Sequence, residues 1–356
     1  MAIRGTSRGE WSVPSILVSM VMILLVVAAG QFILLPGLEP AFVDYLMTSG
    51  GSSQASILAL GVGPVLQAFA LGQLLVLALP KLEGHRAVVI AIRIIVLLMA
   101  LSQAYGITQG LAESSQPLLD DDFPQWVVVA SLVGGAAVTL FLSERLHLPL
   151  LGVGLWLVWL FPGLASIHNK VASIFEMLRF GASSLTHPLI VLGYCVGGLS
   201  ICILSGRLLL EDAAGPQNSG SGPLERRDLL SIIVWPPILA AVSASYILIP
   251  LALLMPDFIG SAEWLRSFIV AMTAVLIPVF IWLYRRRFAQ KGLVIRTVVI
   301  AILAVVEVLV VAGGMLLAQS IMMPLILNGT MILVISAIWF TVMDVAKSKR
   351  AQAAPA

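Results

Sequence analysis

Apolar residues in this chain fall in long uninterrupted runs separated by short polar stretches. The hydrocarbon core of a bilayer takes about 20 apolar residues per helix. Read at that length, the pattern predicts ten spans, near residues 13–36, 54–80, 87–111, 126–143, 148–166, 186–208, 230–254, 265–284, 297–318 and 328–346. A spanning segment must satisfy its own backbone polar groups, so the expected fold is all-α.

One run carries a contradiction. Ser56 to Leu75, SILALGVGPVLQAFALGQLL, is long enough to cross a bilayer yet is interrupted by Gly61, Gly63 and Pro64. Pro64 has no N–H to offer the carbonyl of Leu60, and lipid has no water for it, so this backbone is expected to face protein or an aqueous cavity. The run LLSIIVWPPILAAVSASYILIP repeats the oddity with Pro236 and Pro237. These are the second and seventh spans, equivalent positions of two five-helix halves, residues 1–183 and 184–356. An odd number of spans per half requires inverted topology, and interrupted helices at matching positions of inverted repeats point to a pathway between the halves. Either proline site alone is one that neighbouring helices can re-satisfy; the pairing favours the pathway.

Composition agrees. Charged residues are 11% of the chain and apolar ones 60%, against about 25% and 45–50% in soluble domains. With a cytoplasmic N-terminus, every Lys and Arg except Lys170, Arg179 and Arg266 falls on the cytoplasmic side, which supports an even number of spans with both termini inside. The acidic loop AESSQPLLDDDFP then lies outside, and the net charge of +2 is a topology signal that gives no reason to expect nucleic-acid binding. The first run exceeds the ~7–15 apolar residues of a signal peptide and no A-x-A site follows, so it reads as a span.

Candidate chemistry is sparse. Cys195 and Cys202 read as buried small residues of the sixth span. His85, His147, His168 and His187 lack ligand spacing, so no metal is expected. No G-x-x-x-x-G-K-[ST] loop is present, and neither a cofactor nor an enzymatic activity is predicted. Glu307 sits ten residues into the ninth span, about 15 Å deep, and should face the bundle, in a structural role rather than as the acid of a proton-coupled transporter, which would need partners that no other deep acid supplies. Arg93, about 9 Å into the third span, is expected to snorkel. Near the proline breaks the residues are aliphatic: Val62 and Leu66 flank Pro64, and Ile238 follows the proline pair. Such a constriction excludes water and ions by dewetting while deforming around something large; ordinary packing is the alternative.

These motifs resemble the SecY protein-translocation channels. SILALGVGP with a later QLL is similar to the second SecY helix, and LLPGLEP to the element after its first. IRIIVLLMALSQAYGITQGL resembles helix three, matching Arg93, Gln103, Gly106, Gly110 and Leu111. SERL at 143–146, WPPILAAVSASYILIP and NGTMILVISAIWFTVMD resemble the elements before helix five, in helix seven and at the start of helix ten.

The resemblance implies a clamshell of two inverted halves with a lateral gate. It implies a hydrophobic pore ring of Val62, Leu66, Leu151, Leu155, Ile238 and Val334, with Gln73 and Gln103 as polar gate residues. The plug-like segment, 41–55, is shorter than the family's. The connection before the seventh span, 212–229, is a Gly- and Ser-rich flexible linker, and the loop after the eighth is little more than YRRRFAQKG. Arg285, Arg286, Arg287 and Lys291 are the remaining candidates for cytoplasmic docking or, more simply, an interfacial anchor; with loops this short, docking of SecA or a ribosome is not expected. The implied function is a channel that passes polypeptides across, or inserts them into, the inner membrane of a bacterium, with a SecE-like single-span subunit as a partner. The rival readings are a secondary transporter of a small solute and a transport-inactive membrane scaffold.

Overall fold

A computed structural model describes residues 13–49, 55–113, 118–120, 123–148, 150–215, 229–254 and 262–353. The stretches 50–54 of the plug-like segment and 216–228 of the linker lie outside the described residues. The chain is mostly helical. In order it forms α1 (Val13–Gln31), α2 (Pro40–Ser49), α3 (Gly63–Ala78), a 3-10 turn (Pro80–Leu82), α4 (Arg86–Ala112) and α5 (Gln125–Arg145). A two-stranded hairpin follows, β1 (His147–Leu148) and β2 (Gly152–Val153). Then come α6 (Leu155–Ala165), α7 (Ile167–Arg179), α8 (Thr186–Ala213), α9 (Ser231–Leu254), α10 (Ala262–Gln290), α11 (Thr297–Ile321) and α12 (Gly329–Ala353).

Six helices among the described residues, α4, α5 and α8 to α11, are long and apolar enough to cross a membrane; α1, α3 and α12 supply shorter apolar stretches. The fifth expected span, 148–166, is different. Leu150 (φ +65°) and Gly152 (φ +88°) are left-handed and turn the chain into the hairpin. Only 11 residues remain for α6, about 16 Å at 1.5 Å per residue, against a hydrocarbon core of about 30 Å. α2 and α7 lie in segments where no span was predicted.

The chain forms two compact units. The first comprises residues 1–147 and 153–161, the second 148–152 and 162–356. In the first unit Leu35, Leu46, Leu60, Ala100, Ala104, Leu132 and Ala136 share a core. The segment after α1 is laced to the turn before α3 by Leu35 N–H to Ala55 O and Ile57 N–H to Ile33 O, both 2.9 Å. Its other edge holds residues 118–120 through Asp120 N–H to Gly37 O at 2.9 Å. Gly135 allows α5 to close on this turn, because a Cβ there would stand 1.9 Å from the Ile57 carbonyl oxygen.

In the second unit α8, α9, α11 and α12 pack on one another and α10 covers α9 and α11. The first ten residues of α9, 231–240, are all buried. Tyr194 of α8 donates to the Val310 carbonyl of α11 at 2.7 Å. Buried Asp212, at the end of α8, accepts the backbone N–H of Arg296 at 2.8 Å and pairs with its guanidinium. Arg296 is the N-cap of α11, so the carboxylate sits where a helix start favours negative charge. The linker predicted from residue 212 therefore begins on an anchored residue.

Candidate functional site

The proline breaks prove to be two different things. Residues 55–62 are a series of turns, and α3 begins at Gly63 with Pro64 in its first turn. A proline there gives up an N–H that has no intrahelical acceptor anyway, so the expected orphaning of the Leu60 carbonyl does not arise from a broken helix. Gly61 has φ +56°, a left-handed turn residue that only glycine adopts freely. Val62 is the N-cap of α3, and its carbonyl accepts the Leu66 N–H at 2.8 Å. α9, by contrast, runs through Pro236 and Pro237 without interruption. The pair removes the donors for the carbonyls of Ile232 and Ile233 yet does not end the helix, because these residues are enclosed by protein throughout and packing outweighs the two lost bonds.

The ring candidates fall in both units. Val62 and Leu66 stand half-buried at the start of α3, and Leu155 is buried at the start of α6. Leu151 is buried in the hairpin turn, Ile238 in α9 and Val334 in α12. α9 and α12 pack together within the second unit. All six positions are aliphatic.

Polar groups in the first unit are paired. Gln103 of α4 donates through Nε2 to Gln67 Oε1 of α3 at 3.0 Å. Gly63 lies beside the same amide, its Cβ position 3.9 Å from Gln103 Oε1. Gln67 is a residue that sequence reasoning passed over; the signal was an amide set in an apolar run, where it needs a partner. Gln73 is half-buried, further along α3. Arg93 does not simply snorkel. Its guanidinium forks onto Glu144 of α5, Nε to Oε1 at 2.9 Å and Nη2 to Oε2 at 2.8 Å. Both residues belong to stretches already matched to the same family, but their pairing was not foreseen.

In the second unit Glu307 is completely buried, as expected for a face turned to the bundle, and both its carboxyl oxygens lack a hydrogen-bond partner among the described residues. Of the basic cluster, Arg285 donates to the Ile295 carbonyl at 3.2 Å and to Thr297 Oγ1 at 2.9 Å, tying α10 to the start of α11. Arg287 is buried against the Tyr284 ring, Lys291 is half-buried, and Arg286 is exposed. Cys195 and Cys202 are buried free thiols in α8.

Six helices long and apolar enough to cross a membrane, among the described residues, define a polytopic helical membrane protein. Comparison with known proteins narrows it. No family model matches the chain. The SecY translocase subunit of Rickettsia felis is 29% identical over 204 residues, covering 50% of this chain and 46% of that protein. That of Vibrio cholerae is 30% identical over 203 residues, with the same coverage. The chain thus spans about half the length of the curated relatives it matches. Among solved structures, a SecY channel studied for its plug domain superposes with a TM-score of 0.54 at 14% identity, covering 98% of this chain and 95% of that one. Canine Sec61 from a ribosome–channel complex gives 0.55 at 12% identity and the same coverage. The chain is thus similar in sequence to SecY translocase subunits over about half its length, and it has the SecY/Sec61 fold.

Proposed function

We propose that this protein is a protein-conducting channel subunit that passes polypeptides across a bacterial inner membrane or releases apolar segments into it. The observation that carries the reading is the sequence likeness to SecY translocase subunits from several bacteria, at 29–30% identity in R. felis and V. cholerae. The likeness of fold over nearly the whole chain supports the same architecture. In this proposal the ten spans are α1, α3 to α6 and α8 to α12, α6 being a short fifth. The inverted halves are residues 1–183 and 184–356. They follow the repeat of helix order rather than compactness, and so divide elsewhere than the compact units. Both termini are cytoplasmic by the distribution of Lys and Arg.

Val62, Leu66, Leu151, Leu155, Ile238 and Val334 form the pore ring, and Gln73 and Gln103 are gate residues. Gly61, Gly63 and Pro64 set the start of the gate helix, and Pro236 and Pro237 soften its counterpart. A SecE-like single-span protein is the expected partner, and the driving force comes from a partner. Arg285, Arg286, Arg287 and Lys291 are the candidates for cytoplasmic docking, and of these Arg286 is the exposed one.

A photoreactive side chain at Leu66 or Ile238 tests the reading with a stalled nascent chain. Capture of that chain is the expected outcome. Crosslinks confined to this protein, in membranes where nascent chains are engaged elsewhere, would leave a scaffold instead.

A further inference from the structure

Within the second unit a cavity of ≈ 380 Å³ lies between α7, the end of α11 and the start of α12. Its volume is in the range of about 300–1,000 Å³ typical of small-molecule sites. One wall is a single face of α11, where Val311, Met315 and Ala318 recur at helical spacing. Met323 and Leu325 continue that apolar surface beyond the helix. The opposite chemistry comes from Lys170 of α7 and from Asn328 and Thr330 at the start of α12.

Lys170 is on the wrong face of its helix. Ile167, Val171, Ile174, Met177 and Leu178 form the covered stripe of α7, and His168, Asn169, Ala172, Phe175, Glu176 and Arg179 the exposed one. An amphipathic helix carries its cations on the outer face, yet Lys170 stands within the covered stripe and lines the cavity. Its ammonium touches the Ile326 carbonyl at 3.4 Å, a long contact that leaves two of three donors. It makes no ion pair among the described residues. Asn328 Oδ1 accepts the Met331 N–H at 2.8 Å, while the N–H groups of Gly329 and Thr330, both in the lining, precede any intrahelical acceptor. The helix start adds positive potential beside the ammonium.

We propose that this cavity binds an anionic membrane phospholipid. Lys170 and the start of α12 hold the phosphate oxygens, and the α11 face with Met323 and Leu325 holds the first methylenes of an acyl chain. A free inorganic anion would use the polar end and leave the apolar wall idle; a purely apolar molecule would leave the two remaining ammonium donors unmet. Leu316 and Met322, next in sequence to lining residues, are 54% and 86% exposed and carry apolar surface outward toward lipid. The assignment concerns the second unit alone and stands whether or not the protein conducts polypeptides.

The test is native mass spectrometry of the full chain in detergent with added phosphatidylglycerol. One lipid is expected to be retained. Lys170→Ala should weaken it about tenfold or more, the scale of a lost charge-assisted hydrogen bond, and Lys170→Arg should retain it. Ala318→Phe, which fills the apolar end and leaves the charge, should weaken it comparably. Thermal midpoints without added lipid check folding, and if Lys170→Ala does not fold, Ala318→Phe carries the decision. Equal retention by the wild-type protein and whichever of these variants folds would overturn the proposal. So would displacement by inorganic phosphate at equal concentration, which marks a plain anion site, or equal binding of diacylglycerol, which marks a plain apolar one.

Discussion

Two acids inside apolar helices have opposite fates. Glu144 is answered by the fork of Arg93, whereas Glu307 has no partner for either oxygen among the described residues. A buried group left unsatisfied costs about 1–3 kcal/mol, and replacing buried polar groups by well-packed apolar ones is often stabilising. Glu307→Leu is therefore expected to raise stability by about 1 kcal/mol or more, read as a higher thermal midpoint in detergent. A lower midpoint would mean that Glu307 has a partner essential to the fold. The Arg93–Glu144 pair predicts something milder. With 41% of the Arg93 side chain exposed, the coupling measured by a double-mutant cycle should be about 0.5–1 kcal/mol. Arg93→Lys should lose much of it, since an ammonium cannot reproduce the two-pronged contact.

At the scale of elements, the same letters gave different structures. Proline marked the start of α3 at Pro64, yet in α9 two prolines sit inside a continuous helix. Composition locates a proline, but burial and register decide what it does. The long runs that became α4, α5, α8, α10 and α11 were legible because each is apolar for a full membrane crossing. Residues 148–166 are equally apolar, and hydropathy could not tell a span from a hairpin followed by an 11-residue helix. The deciding feature was a pair of left-handed residues, one of them Leu150, which composition gives no reason to expect. α7 was hidden for the opposite reason, since a 13-residue amphipathic helix never reaches the apolar length by which the spans were read.

Two glycines test the elements directly. Gly61→Ala has open space around it but a φ of +56°, and should cost about 1–2 kcal/mol in backbone strain. Gly135→Ala has ordinary helical geometry but meets the Ile57 carbonyl; overpacking of that kind costs about 1–3 kcal/mol. Because it pushes on the turn that leads into α3, it should also loosen that turn. Hydrogen exchange separates the two: Gly135→Ala should speed exchange at Leu35 and Ile57, whose N–H groups lace that turn, while Gly61→Ala should act mainly at the start of α3.

For the whole molecule, the orientation inferred from charge can be read from single cysteines. The native thiols are buried, so background labelling by an impermeant maleimide should be low. A cysteine replacing exposed Arg286 should react only from the cytoplasmic side, and one replacing exposed Phe180 only from the opposite side. Labelling of both from one side would refute the proposed topology.

The pore ring is the most demanding claim, because six aliphatic residues can always be read as ordinary packing. Function separates the readings. A dewetted constriction blocks ions only while its wall stays continuous and apolar, so removing one branched side chain should open a wet path, whereas a packing cavity made by the same change should cost stability and leave conductance alone. Val62→Gly and Ile238→Gly are therefore each expected to raise ion conductance severalfold in planar bilayers, and the double variant more than either. Val62 is half-buried at the N-cap of α3 and Ile238 is 5% exposed in α9, so a purely structural role would make Ile238→Gly the more destabilising of the two by far. Comparable leak from both, despite that difference in burial, is the signature of a shared constriction. Conductance that tracks the loss of stability, or does not change at all, would return both residues to the core.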